Sequence, residues 1–154
     1  MAIRFLPVPT ETAAALWDGG TDSYGMRPER RISDGDGVPC RHCLEGVRAG
    51  EPYLVLAHRP FPELQPYAET GPIFLHAEPC AAFSGAGVPS ILDSRDYIVR
   101  GYDADDRIVY GTGAVTPTEE IPAYAETLLA RSEIAYVHIR SARNNCYQCK
   151  VERT

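Results

Sequence analysis

Apolar positions in this chain come in short runs separated by turn residues, and two runs show helical spacing. Residues 3–6 predict a first strand. Thr10 predicts an N-cap for a short helix over 11–17, ended by Asp18-Gly-Gly20. Residues 53–57 form an apolar run expected of a buried strand. A proline-rich loop follows, and residues 73–77 form a second such run. Residues 96–102 and 107–112 flank the acidic stretch Asp103-Ala-Asp-Asp106, which predicts an antiparallel hairpin around a carboxylate-rich turn. From 118 to 131, Ile121, Tyr124, Leu128 and Leu129 fall near one helical face. Residues 134–140 and 146–152 read as the last two strands, joined by a turn. The sum is six or seven strands and two short helices with no regular βαβ alternation. That predicts an α+β fold with a mainly antiparallel sheet, in a single domain spanning 1–154.

Composition narrows the picture. With 44% hydrophobic and 23% charged residues the chain has the make-up of a globular protein. A net charge of −6 argues against nucleic-acid binding, because phosphate contacts need a positive surface. The N-terminal apolar run is interrupted by Pro7 and Pro9, unlike a signal peptide, and no run is long enough for a membrane span. A cytoplasmic location is expected, and no partner is identified. Ser33-Asp-Gly-Asp-Gly37 lacks calcium-loop spacing and predicts a turn.

The chemistry lies in the five cysteines. Cys40-Arg-His-Cys43 and Cys146-Tyr-Gln-Cys149 both have the C-x-x-C spacing that lets one turn bring two sulfurs onto one ion. His76-Ala-Glu-Pro-Cys80 supplies an imidazole and a fifth sulfur. An odd number of thiols does not suit a closed disulfide framework, and in a reducing compartment paired cysteines point to metal or redox chemistry. Thiolate and imidazole donors favour zinc. The candidate ligands are Cys40, Cys43, His76, Cys80, Cys146 and Cys149. Alternation along a flat final strand puts Tyr147, Cys149 and Val151 on the buried face and Cys146, Gln148 and Lys150 on the other. Both late cysteines could bind one ion only if the backbone there bends into a knuckle. Otherwise the set is Cys149, one or both of Cys40 and Cys43, His76 and Cys80.

Other readings stay open beside a structural zinc site. The thiols could simply pack as small hydrophobes. Cys40 and Cys43, with His42 beside the second thiol, could form a thiol–disulfide redox pair. His76-Ala-Glu78 with Pro39-Cys-x-x-Cys43 provides the group types of a zinc hydrolase or deaminase, with Glu78 as the base, although in reversed order. His138 reads as a hydrogen-bonded strand histidine. Arg140-Ser-Ala-Arg-Asn-Asn145 reads first as a hairpin loop, with the lining of a ligand pocket as the alternative.

Four stretches together resemble a bacterial family, the domain of unknown function numbered 1203: Pro39-Cys-Arg-His-Cys-Leu44, Gly71-Pro-Ile-Phe-Leu-His-Ala-Glu-Pro-Cys80, Tyr102-Asp-Ala-Asp105 and Ala142-Arg-Asn-Asn-Cys-Tyr-Gln-Cys-Lys-Val151. The resemblance runs in order from about Phe5 to Arg153. It implies a stand-alone bacterial domain and no particular activity.

Overall fold

Leu54, Leu56, Ile73 and Leu75 are buried while their chain neighbours are less so, and this two-residue period turns one face of each strand inward. The same logic builds the rest. The computed structural model describes residues 2–154 and holds, among them, eight strands and two α-helices. The strands are β1 Ile3–Leu6, β2 Glu29–Ile32, β3 Pro52–His58, β4 Gly71–His76, β5 Asp96–Tyr102, β6 Ala114–Pro117, β7 Tyr136–Ser141 and β8 Tyr147–Arg153. The helices are α1 Thr10–Trp17 and α2 Ile121–Leu129, the second entered through a single 3-10 turn, Thr118–Glu120. Five strands form one sheet in the order β1-β8-β7-β5-β6, and three form another in the order β2-β3-β4. Every pairing between these strands is antiparallel, so the architecture is α+β. No helix among the described residues is long and apolar enough to cross a membrane.

The larger sheet packs one face on α2. Ile121, Ala125, Leu128 and Leu129 meet Val99, Val137, Ile139, Cys149 and Val151 in one apolar core. The smaller sheet packs with α1, whose Ala13 and Leu16 join Leu54, Leu56, Ile73 and Leu75 in a second core that also takes in Tyr147. The second face of the larger sheet is polar and aromatic. Tyr102, Tyr136, His138, Arg140 and Tyr147 lie on it, covered by the 58–72 loop through Phe61.

Several expectations change. The partner of β5 is β6 rather than residues 107–112. After Ile108 bridges Tyr102, the chain turns at Gly111, whose φ is 87°. The Thr112 hydroxyl receives the Gly101 N–H at 3.0 Å, where a ladder carbonyl would otherwise sit. Asp103 does organise the acidic turn, accepting the N–H groups of Asp105 and Arg107. β2 was not anticipated, because all four of its residues are exposed and carry no inward-facing signal. Thr10 is the first helical residue and not the cap. Its hydroxyl is 2.9 Å from His42 Nε2, and Pro9 takes the cap position. His138 is not a hydrogen-bonded histidine at Nδ1, which is buried without a partner among aromatic rings.

Alternation in the last strand is also broken. Cys149 faces Ile139 but Tyr147 faces Arg140, so Gln148 is an extra residue in β8. This bulge puts Tyr147 on the face of His138 and Arg140, while Cys149 and Val151 stay on the α2 face. The three do not share a side as a flat strand would require.

Candidate metal centre

Cys40 is tied into the fold on both sides. It makes a parallel bridge to Phe74 of β4, and its N–H donates to the Glu45 carbonyl at 2.9 Å. The Leu44 N–H returns to the Cys40 carbonyl at 3.0 Å, closing a tight turn around residues 40–43. Knuckles of this kind usually close on glycine. Here Leu44 takes the left-handed conformation, with φ 57°, and is wholly buried in the α2 core. Its apolar burial outweighs a backbone cost of roughly 1–2 kcal/mol.

The bridge to Phe74 brings the turn beside the end of β4. Cys40, Cys43, His76 and Cys80 then gather so that one ligand atom from each lies within 4.8 Å of the others. Cys40 Sγ is 3.8 Å from Cys80 Sγ, and Cys43 Sγ is 3.5 Å from His76 Nδ1. The His76 N–H points at Cys40 Sγ at 3.3 Å. Cys40 is fully buried, while the other three line a cleft of about 530 Å³ with Glu45, Glu51 and Phe83.

A shell of further groups fixes this one. His42 is 1% exposed. Its Nδ1 lies 3.4 Å from Cys80 Sγ and its Nε2 contacts the Thr10 hydroxyl on α1. Trp17 packs edge-on against His42 and donates its indole N–H to the His76 carbonyl at 2.8 Å. The Phe83 N–H donates to the His42 carbonyl, which ties down the loop carrying Cys80. Arg41, 3% exposed, donates Nε to the Tyr147 carbonyl and Nη1 to the Pro39 carbonyl, both at 2.7 Å.

Electrostatics sort the thiols. The hydrogen bond from Cys43, opposed by burial and helped by the N–H groups of Cys43, His76 and His42, brings the Cys40 thiol down to about 4. The same thiol–thiol hydrogen bond, with burial, pushes Cys43 far up. Burial, and then the charge on Cys40, raise Cys80 to about 11. Of the three thiols, Cys40 is the one whose ionised form its surroundings favour. Burial lowers Arg41 to about 10, leaving it cationic at neutral pH, and the nearby cysteines favour that charge.

Cys146 and Cys149 lie outside the four-residue group. Cys149 is buried in the α2 core, where desolvation raises its thiol to about 12, so it packs there as a small hydrophobe. The Cys146 thiol lies over the Asn144 carbonyl at 3.8 Å. Only the first C-x-x-C forms a knuckle. The second runs into the extended strand β8, where Cys149 enters the α2 core. The Glu78 side chain is 72% exposed and pairs with Arg30 at 3.6 Å. Spacing alone did not reveal His42, Thr10 or Trp17 as supports of the site. The one sequence signal was the placement of His42 between two cysteines.

The family model described as "protein of unknown function (DUF1203)" matches residues 37–153. The match takes in the knuckle, His76, Cys80 and strands β3 to β8, and begins well after Phe5. Neither curated proteins nor solved structures give a match.

Proposed function

Since the chain belongs to the DUF1203 family, we propose from the site itself that this member binds one zinc ion through Cys40, Cys43, His76 and Cys80, as a structural centre. The observation that carries the reading is the spacing of the ligand atoms. Zn–S bonds of about 2.3 Å and Zn–N bonds of about 2.0–2.1 Å at tetrahedral angles require S···S edges of about 3.8 Å and S···N edges of about 3.6 Å. The corresponding separations here are 3.8 Å for Cys40–Cys80 and 3.5 Å for Cys43–His76 Nδ1.

Charge supports the same set. A divalent ion with three thiolates carries one net negative charge, and the buried Arg41 guanidinium lies beside the knuckle to balance it. A metal-bound thiolate only accepts hydrogen bonds. His42 Nδ1–H therefore donates to Cys80, and His42 Nε2 accepts from Thr10. Four protein donors close the coordination sphere, which suits a structural ion. A deaminase arrangement would leave the fourth position to water and hold Glu78 over it. Here Cys80 stands in that position and Glu78 faces solvent.

Elemental analysis of protein purified under reducing conditions tests the proposal. One zinc per chain is expected. Cys40→Ser and Cys80→Ser should lose it, and Cys146→Ser should retain it. Metal-free protein whose mass rises reversibly by two hydrogens on reduction would replace the zinc reading with the thiol–disulfide one.

A further inference from the structure

Three of the four proposed ligands line an open cleft, an exposure that a purely structural ion does not need. Cys43, His76 and Cys80 border this space of about 530 Å³, while Cys40 lies behind them with no exposed surface. The buried Cys40 sulfur is in contact with the half-buried Cys80 sulfur at 3.8 Å. We propose that Cys80 and Cys40 are a peroxide-responsive pair. Hydrogen peroxide entering the cleft oxidises them to a disulfide, and the site gives up its zinc. The inference rests on the zinc reading and deepens it by giving the same centre a regulated state.

Geometry selects this pair over the two cysteines of the knuckle. A disulfide has an S–S length of about 2.05 Å, so the Cys40 and Cys80 sulfurs must close by about 1.8 Å from contact. Cys80 lies past the end of β4, in the connection to β5 that holds no helix or strand. Among the described residues, the backbone N–H groups from Glu78 to Ala82 donate to no backbone carbonyl, so no ladder holds Cys80 back. Cys43 sits instead in the turn locked by the Leu44 N–H on the Cys40 carbonyl and the Cys40 N–H on the Glu45 carbonyl. Charge selects the oxidant. An ion with three thiolates carries one net negative charge, and Glu45 and Glu51 line the cleft against one cation, Arg48. Anionic oxidants are repelled there, whereas hydrogen peroxide is small and uncharged.

The Cys80 thiolate, on the cleft side, attacks one peroxide oxygen. An S–O bond forms, the O–O bond breaks, and the departing hydroxide takes a proton from solvent to become water. The Cys40 thiolate then attacks the Cys80 sulfur. The S–S bond forms, the S–O bond breaks, and the second hydroxide is protonated in turn. The two sulfurs together lose two electrons and the peroxide gains them. Only Cys43 and His76 then remain as donors, too few to hold the ion.

Treating the zinc-loaded full chain with one equivalent of hydrogen peroxide, blocking free thiols and digesting with trypsin without reduction tests this. Cleavage after Arg41 and Arg48 puts Cys40, Cys43 and Cys80 on three different peptides. The expected result is a loss of two hydrogens, release of one zinc per chain to a chromophoric chelator, and a disulfide joining residues 32–41 to residues 49–95. Dithiothreitol with added zinc should restore the starting mass and metal, and Cys146→Ser should behave as the wild type does. A Cys40–Cys43 link, a disulfide formed with the zinc retained, a stable gain of oxygen, or no reaction overturns the proposal. Zinc content measured before the peroxide keeps the two readings apart. Protein isolated without zinc overturns both, whereas protein that holds zinc but forms no Cys40–Cys80 link overturns this inference alone.

Discussion

His42 Nδ1 lies 3.4 Å from the sulfur of Cys80, while the opposite nitrogen of the same ring meets the hydroxyl of Thr10. One buried imidazole thus connects the first residue of α1 to a ligand of the proposed centre. His42→Ala should leave the metal stoichiometry at one but weaken zinc affinity by about 10–100-fold, the usual effect of losing a group that orients a ligand. Competition with a chromophoric chelator measures it. Unchanged affinity would show that Cys80 needs no such support.

Trp17 is the chain's one tryptophan, and it donates to the His76 carbonyl. It also packs on His42 with ring centroids 5.2 Å apart. Its emission should therefore report on the centre. Chelating the metal is expected to shift or quench Trp17 fluorescence, and adding zinc back should restore it with one-to-one stoichiometry. A spectrum indifferent to chelation would separate α1 from the site.

Leu44 joins a strained backbone to a fully buried side chain. Leu44→Ala should cost about 2–5 kcal/mol through the cavity it leaves. Leu44→Gly removes one more carbon yet relieves the left-handed φ, a gain of roughly 1 kcal/mol over alanine. The glycine variant should thus be the more stable of the two in urea denaturation. The reverse order would show that φ carries no penalty here.

His58 and His138 are both held neutral in the folded protein, chiefly by burial and then by neighbouring cations. As pH falls below the ordinary histidine value of 6.5, the unfolded chain takes up these protons first, so stability falls. For His58 the loss should run from that value down to about 4, at up to about 1.4 kcal/mol per pH unit, and then level off. Urea denaturation of wild type against His58→Gln isolates this share from the cysteines. A pH-independent difference between the two would mean that His58 is solvated in the native state.

Much of the fold is readable locally. β3, β4, β5 and β8 and both helices follow from apolar spacing, because a side chain's direction depends on period alone. β2 and β6 were not readable in the same way. β2 is held by backbone pairing to β3, and the β5–β6 pairing is displaced from the expected hairpin by the Gly111 turn. The bulge at Gln148 likewise comes from mismatched register between β7 and β8, which no single strand's pattern records.

The donor types, soft sulfur and imidazole, and the turn geometry that C-x-x-C permits are legible along the chain, since both are properties of neighbouring residues. The sequence left open whether Cys146 and Cys149, or Cys149 alone, joined the first pair. Strand pairing settles the different placement of the two pairs. The bridge from Cys40 to Phe74 brings the first pair to His76 and Cys80, whereas pairing with β7 extends the second and buries Cys149 beneath α2. Long-range pairing places side chains that are far apart in the chain. The buried, unpartnered Nε and Nη2 of Arg140 are another product of that packing, invisible in a run of residues that reads as an ordinary turn.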